Sequence, residues 1–377
     1  MEEWVWHVRR YSSIPYSVPR RDKVIQRILI VQLKHLGDVL LTTPVIEALA
    51  TAFPGAQISV LVNGGMEDMV SGHPRLHDVL ILPQKLRHQS GAKRLLKELQ
   101  VVRKIRAGRF DLVINLSRGD RGGWLSVFSG ARHRLGYKVA SQEPGYKNWF
   151  YNHSVDQPVE SIHEVEKNLR LLTGIGITPA PLPLSFIIPK ETSEWADVEL
   201  GGLKDRPIVH VHPTSRWMFK CWDPYSMTAV LTELQFRGHR IVLTCGPSLD
   251  EAKHCQAVLH HVKPDLQYLG VLNLKELGAL ISRANVFLGV DSAPMHIAAA
   301  VGTPTVALFG PTGTENWSPW QVPSVVLQKP CPCKEARAEK CDWRKDIVRA
   351  CLAQITVEEV LSAVRAMMTS PARTRSS

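Results

Sequence analysis

No run of 18 consecutive apolar residues occurs in the 377-residue chain, so no membrane-spanning helix is expected. The most apolar region, 293–309, is broken by Pro294, His296, Gly302 and Pro304. The opening MEEWVWHVRR has no apolar core of the kind a signal peptide needs, which argues against secretion. Cysteine is sparse: seven residues do not make a disulfide scaffold. Cys221, Cys245 and Cys255 lie in or near apolar segments and read as buried, reduced thiols. Cys331, Cys333, Cys341 and Cys351 cluster near the end, at spacings that match no standard zinc pattern. The loop KHLGD after the first apolar run holds one glycine, too few for a dinucleotide fingerprint, so NAD binding is not supported. Walker, GxSxG and HxE…CxxC sequences are absent, as is any standard nucleic-acid motif.

What is present suits a folded protein: 44% hydrophobic and 21% charged residues. At roughly 100–200 residues per domain, the length fits two domains. The net charge of +11 is unevenly placed: residues 1–190 hold 26 basic and 16 acidic residues, the remainder 20 and 19. The densest run, Lys85 to Arg109, sets nine Lys/Arg against Glu98 alone. Such a surface attracts phosphate from nucleic acid, anionic lipid or a phosphorylated glycan, or it is simply a solvated helix face. Leu95, Leu99, Val102 and Ile105 recur there at helical spacing, which predicts a buried stripe under the basic one.

Residues 1–26 read as an arm, rich in Arg, Pro and aromatics and poor in periodicity. Apolar runs at 27–33, 57–62, 79–82 and 110–116 predict buried parallel strands, with helices at 38–52 and through the basic run. Four prolines (Pro179, Pro181, Pro183, Pro189) mark a linker at 178–190. Alternation then restarts, with strands at 207–213, 240–246, 286–291 and 303–310. Helices are expected at 224–236, 249–261, 274–283, 294–301 and 357–368. This is an α/β pattern of two Rossmann-like, doubly wound domains. The expected division is an arm (1–26), a first domain (27–177), the linker, a second domain (191–355) and a C-terminal helix and tail (356–377).

Sites in such sheets form beyond the carboxyl ends of strands, so the loops there carry the chemistry. Asp38 starts a helix, either as an acid favoured by the helix dipole or as a general base at the cleft. Thr214, Ser215 and Lys220 follow the 207–213 strand and suit a pyrophosphate, though a polar loop with a snorkelling lysine would look the same. After the next strand, Gly246 permits a tight turn, and Asp250 or Glu251 could either accept ribose hydroxyls or simply open a helix. The most specific piece is Asp291-Ser292-Ala293-Pro294-Met295-His296. Its small residues lead into a helix start with free N–H groups for a phosphate, and His296 lies within the first turns. A capped helix with a core histidine is the alternative.

GDVLLTTP (Gly37–Pro44) after an apolar strand, combined with VDSAPMHIAAAVGTPTVALFGPT (Val290–Thr312), resembles the bacterial lipopolysaccharide heptosyltransferases of glycosyltransferase family 9. FKCWD (Phe219–Asp223) and VLTCGPS (Val242–Ser248) look closest to the heptosyltransferase III branch. The resemblance runs over roughly residues 27–365. It implies a GT-B fold with a central cleft, an ADP-heptose donor, and inverting transfer, with no metal or other cofactor, to a heptose of the lipid-linked, phosphorylated lipopolysaccharide inner core. Within it, Asp38 matches the general base. Thr214, Ser215, Lys220, Glu251, Leu272, Asp291, Ser292, Ala293 and His296 match donor contacts, Leu272 on the adenine side. Lys34, Lys93 and Lys97 are candidate acceptor contacts. The stretch from Ser215 to Lys220 is one residue longer than in the heptosyltransferase I form. The basic half would then face the acceptor at the cytoplasmic surface of a Gram-negative inner membrane, with no nucleic acid involved. Rivals are heptosyltransferase II, another sugar transferase of the family, a GT-B-like sugar-nucleotide epimerase, and a non-catalytic or nucleic-acid-binding module.

Overall fold

A computed structural model describes residues 25–83, 91–138, 145–201, 206–260, 262, 266–331 and 350–369, without side-chain placements for 91–95, 148 and 350. The N-terminal arm, Cys333 and Cys341, and the side chain of Lys93 therefore lie outside what is described. Two six-stranded, wholly parallel sheets form the chain. The first contains β1 (Arg27–Gln32), β2 (Gln57–Asn63), β3 (Leu76–Leu82), β4 (Leu112–Asn115), β5 (His133–Tyr137) and β6 (His153–Val155), in the order β3-β2-β1-β4-β5-β6. The second contains β7 (Ile208–His212), β8 (Arg240–Thr244), β9 (Leu266–Gly270), β10 (Val286–Val290), β11 (Thr305–Phe309) and β12 (Ser324–Gln328). Its order, β12-β11-β10-β7-β8-β9, is the same topology repeated. The strand order reverses between β1 and β4, and again between β7 and β10, so each sheet has one crevice at its carboxyl end where ligands bind.

The central strands form because β-branched and leucine runs bury both faces. Alternate residues of β1 serve opposite faces: Ile28 and Ile30 meet one cluster, Leu29 and Val31 another. On the first face lie α1 (Leu36–Leu40), α2 (Thr43–Ala52) and α5 (Glu164–Leu171). On the second lie α3 (Gly91–Ala107) and α4 (Asp120–Phe128). The helix expected over 38–52 is divided into α1 and α2, because Pro44 stands in the first turn of α2 and cannot continue a helix that precedes it. The stripe expected on α3 holds at Ile105, which is buried, and Val102, which is partly so, but not at Leu99, which points outward at 47% exposure; Val101 is buried as well, and the side chain of Leu95 lies outside the described residues.

In the second half, α7 (Pro224–Phe236) and the C-terminal helix Val357–Met368 cover one face of the sheet. On the other are α6 (Lys190–Glu199), α9 (Leu274–Arg283) and α10 (Ala293–Ala300). One apolar cluster runs through both halves. Val39, Leu40, Ile46 and Leu169 share it with Leu277, Ile281, Met295 and Ile297. Residues 178–189 carry no regular element, and Leu184 and Phe186 dock into the same cluster. Polar links reinforce the joint: Lys275 Nζ donates to the carbonyls of Ser71 (3.0 Å) and Ile187 (2.8 Å), and Trp320 Nε1 to that of Leu182 (2.9 Å).

The joint is tight at Gly278 of α9, where a Cβ would stand 2.4 Å from Phe186 Cε1 and 3.3 Å from Ile297 Cγ2. Gly278→Ala is expected to lower the free energy of unfolding by about 1–3 kcal/mol through overpacking. Urea titration measures it, and an unchanged midpoint would mean that Phe186 swings aside without cost.

Candidate functional site

The first crevice lies at the ends of β1 and β4. The Leu33 N–H donates to Ser117 Oγ at 2.7 Å, and that hydroxyl lies 3.2 Å from the Val31 carbonyl, tying the two strand-end loops together. Asn63 Nδ2 anchors the Leu33 carbonyl at 2.6 Å. Asp38 sits in the first turn of α1 and is buried, with Oδ2 accepting the His35 N–H at 3.2 Å. The helix-start role expected of it is thus real. Burial nevertheless raises its carboxyl above the usual aspartate range, opposed by the charge of nearby Lys34. Burial, then the Arg118 guanidinium, lowers the Lys34 ammonium.

Three further residues complete this cluster. Arg118 pairs with the buried Glu164 at the start of α5, and Lys167 Nζ reaches the same carboxyl at 3.3 Å. Burial pushes Glu164 up, but the Arg118 hydrogen bond and charge, with Lys167 and Lys34, outweigh it and hold the carboxyl below its ordinary value. Arg118 has φ 54°, in the left-handed region that a non-glycine residue enters only at a cost. Sequence reasoning missed Arg118, Glu164 and Lys167. Arg118 and Glu164 are 46 positions apart, and nothing local announces the pair.

The second crevice, between β7 and β10, gathers most of the expected donor residues. Lys220 Nζ lies 2.6 Å from Asp291 Oδ2, so the lysine reaches across the crevice to a carboxylate. Thr214 is fully buried, and its hydroxyl accepts the Gly246 N–H at 3.2 Å. Ser215 Oγ accepts the Trp217 N–H at 3.3 Å. Between the two acids offered by sequence the structure discriminates: Glu251 is buried and Asp250 exposed. Glu251 closes a capping box with Ser248 at the start of α8 (Leu249–Leu259). A Cβ on Gly246 would stand 1.8 Å from Glu251 Oε1, so any side chain there would push the carboxylate out of its present place. Leu272 is half-buried in the turn after β9. Ser292 is the N-cap residue of α10, but its hydroxyl donates to the Val290 carbonyl at 3.2 Å and makes no cap bond, so it leaves the helix-start N–H groups uncapped beside Ala293.

His296 joins the two crevices. It is buried in α10, its Nδ1 has no hydrogen-bond partner, and a Cβ on Gly37 would stand 2.9 Å from its Cδ2. Gly37 precedes Asp38, so the two segments most distinctive in the sequence touch. Burial holds His296 neutral, with its pKa lowered to about 4, while Asp291 raises it and His163 and Lys220 lower it. Lys34 stands beside Asp38. Lys97 lies on α3, on the opposite face of the first sheet from α1, and is not brought to either crevice. Cys221, Cys245, Cys255, Cys331 and Cys351 are all buried.

Glycosyltransferase family 9 (heptosyltransferase) matches residues 99–346. Lipopolysaccharide heptosyltransferase 3 of Escherichia coli K12 is 35% identical over 293 residues, covering 76% of this chain and 83% of that protein. Among solved structures, a family 9 glycosyltransferase from Veillonella parvula superposes with TM-score 0.80 at 23% identity, over 92% of this chain and 98% of that one. The Escherichia coli ADP-heptose lipopolysaccharide heptosyltransferase II gives 0.74 at 19%, over 91% and 98%. These likenesses show the fold: the GT-B arrangement of two Rossmann-like halves.

Five buried histidines have pKa values lowered by burial: His163, His212 and His296 to about 4, His210 to about 3, and His73. Each is neutral when folded and binds its proton more readily when unfolded. Their stabilisation is complete above about pH 6.5 and is lost as pH falls toward 4. Thermal unfolding followed across that window should show a falling midpoint. A flat profile between pH 6.5 and 4 would contradict the burial of these rings.

Proposed function

The chain belongs to glycosyltransferase family 9, and from that premise we propose that it moves heptose from ADP-heptose to a heptose of the lipopolysaccharide inner core, as a heptosyltransferase III-type enzyme. The observation that carries this reading is the contact of Gly37 with His296, which sets a buried carboxylate against a phosphate-type helix start. The 35% identity to a heptosyltransferase 3 supports the acceptor class.

In this reading residues 27–177 bind the acceptor, 178–190 link, and 191–355 hold the donor. Asp38 takes the proton of the acceptor hydroxyl as that oxygen attacks the anomeric carbon. A base in line with a departing diphosphate produces inversion in one displacement. Burial serves this step, because a raised pKa strengthens a carboxylate as a base. Charge grows on the ADP oxygens as the bond breaks. Lys220 and the N–H groups at the start of α10 stabilise it, the helix start by its dipole and the lysine by exchanging Asp291 for phosphate. Thr214 and Ser215 border the pyrophosphate, Glu251 the ribose and Leu272 the adenine. A neutral His296 lets the unpartnered Nδ1 hydrogen-bond a ligand without a fixed charge. Lys34, with Arg118 and Lys167 behind it, offers cations to a phosphorylated acceptor. The acceptor's lipid places the reaction at the cytoplasmic face of a Gram-negative inner membrane. No helix among the described residues is long and apolar enough to cross a membrane, which fits peripheral contact.

The deciding assay incubates the protein with ADP-heptose and core lipopolysaccharide lacking its branch heptose, with mass spectrometry of the glycan. One added heptose with release of ADP is expected; no gain would send the search to other sugars or acceptors. Asp38→Asn should lower kcat by about 10²–10⁴-fold with ADP affinity nearly unchanged. The acid limb of the kcat/KM profile should lie above the ordinary aspartate pKa of 3.8 because burial raises Asp38. A variant that keeps near-normal turnover would remove Asp38 from the base role.

A further inference from the structure

The outer face of the first sheet, formed by α3 and α4, carries a surface that the transfer reaction does not use. Trp124 and Phe128 stand one turn apart on α4 and stack at 5.7 Å. Tyr146, in the short 3₁₀ segment Gly145–Phe150, extends the stack with its ring 6.3 Å from that of Trp124. Trp124, Phe128 and Tyr146 are 40–46% exposed, and Trp149 is 80% exposed. Isolated surface aromatics need no explanation, but a contiguous patch does.

The patch is held in place from below. Phe150 is buried and meets Trp124 edge-on at 5.0 Å. It reaches α4 because residue 123 is glycine: a Cβ there would stand 2.1 Å from Phe150 Cδ2. The 3₁₀ segment is thus fastened to α4, and its other aromatics are left facing water. On the neighbouring helix, Leu96 and Leu99 are 60% and 47% exposed, amid the exposed Arg103, Lys104 and Arg106. Arg121 of α4 bridges to Glu98 of α3 at 2.9 Å, so the two helices present one surface. Just past Phe128, a cavity of about 420 Å³ is lined by Arg106, Arg109 and Arg132 with Asp111, whose carboxylate accepts the N–H groups of Gln26 and Arg27.

We propose that this face docks the enzyme on an anionic lipid bilayer. The aromatics and leucines sit at the level of the headgroups, and the three-arginine cavity takes a lipid phosphate. Charge complementarity selects this occupant. A protein partner for an apolar stack would not need three arginines beside it, whereas a bilayer surface offers anionic headgroups over an apolar layer. Tryptophan and tyrosine are the side chains favoured at that boundary. α4 starts at the first crevice, beside Gly119, and ends at the arginine cavity, so docking would lay the acceptor-side crevice along the membrane. The proposal rests on the lipid-linked acceptor read above, but its test does not require transfer.

The full chain would be sedimented with vesicles of phosphatidylcholine alone and of phosphatidylcholine with 30% phosphatidylglycerol (a composition fixed by the assay, ~30 mol% to mimic an anionic leaflet). Binding to the anionic vesicles, weakened by added salt, is expected. The doubly substituted Phe128→Ser/Trp149→Ser should reduce partitioning about tenfold, as losing two interfacial aromatics would. Arg106→Gln/Arg132→Gln should remove the preference for anionic vesicles. All four side chains are at the surface, and circular dichroism confirms that the variants fold. Transfer to a delipidated acceptor should be unchanged in both variants. Vesicle binding equal to wild type in both variants, or no binding by the wild type, overturns the docking face. Absence of transfer by the wild type would count against the assigned reaction and leave the vesicle result standing.

Discussion

The approach of Gly37 to His296 is the contact on which the arrangement of the site depends. It brings the first turn of α1 onto α10 so closely that a Cβ at position 37 would stand 2.9 Å from the His296 ring and force a shift. Asp38 follows directly, so its place relative to the second crevice is set by backbone against ring, with no long side chain to reorganise. The apolar cluster that runs through both halves supports this contact from behind. Cross-links at Lys275, Trp320 and His163, whose Nε2 lies 3.0 Å from the Ser318 carbonyl, keep the two sheets from sliding. A site divided between two sheets gains precision when the sheets share a core, because side chains locked by packing hold their geometry.

Holding charge inside such a joint is costly, and the two crevices offset it differently. In the second, Lys220 and Asp291 pair at 2.6 Å, His296 stays uncharged, and the buried Glu251 carboxylate is met by the Ser248 N–H of its capping box. In the first, Lys34, Arg118 and Lys167 face Asp38 and Glu164, leaving one positive charge in excess. Asp38 is the member least compensated, since its nearest cation is itself partly desolvated. A carboxylate left in that condition destabilises the fold and is a stronger base for it, a trade found where activity needs a strained group. The left-handed Arg118 belongs to the same economy: the backbone is bent so that its guanidinium covers Glu164 and leaves Asp38 to Lys34.

Central strands and the second crevice were legible in the sequence because their signals are contiguous. β1, β4, β7, β8, β10 and β11 are apolar runs, and the loops after β7 and β10 carry their polar residues within a few positions. Three of the four edge strands were not legible, nor was β5 beside one of them: His133–Tyr137, His153–Val155 and Leu266–Gly270 are short and carry polar residues, and Ser324–Gln328 is only half-buried, whereas the edge strand β3 kept an apolar run. The partners of Asp38 were hidden for another reason. Arg118 and Glu164 acquire their roles only by meeting across the first sheet. On α3 the expected stripe held at Val102 and Ile105 but missed Val101, which packs while Leu99 faces outward.

The uneven charge of the sequence follows from which face of each sheet is free. The face of the first sheet that carries α1, α2 and α5 is consumed by contact with the second half, so it cannot present a basic surface. The free face carries α3 and α4, and the basic excess of the first half is concentrated there. The second sheet has no such demand: its ligand charge is met locally by Lys220 and the helix start of α10, and residues 191–377 need little net charge. Screening supports the division. Residues on the outer face are separated from the second half by the first sheet and the α1, α2 and α5 layer, and exposed charges act over only roughly 8–10 Å at physiological salt. The basic surface can therefore attract a large anionic partner without altering the electrostatics that the nucleotide meets, and each half can be tuned to its own ligand.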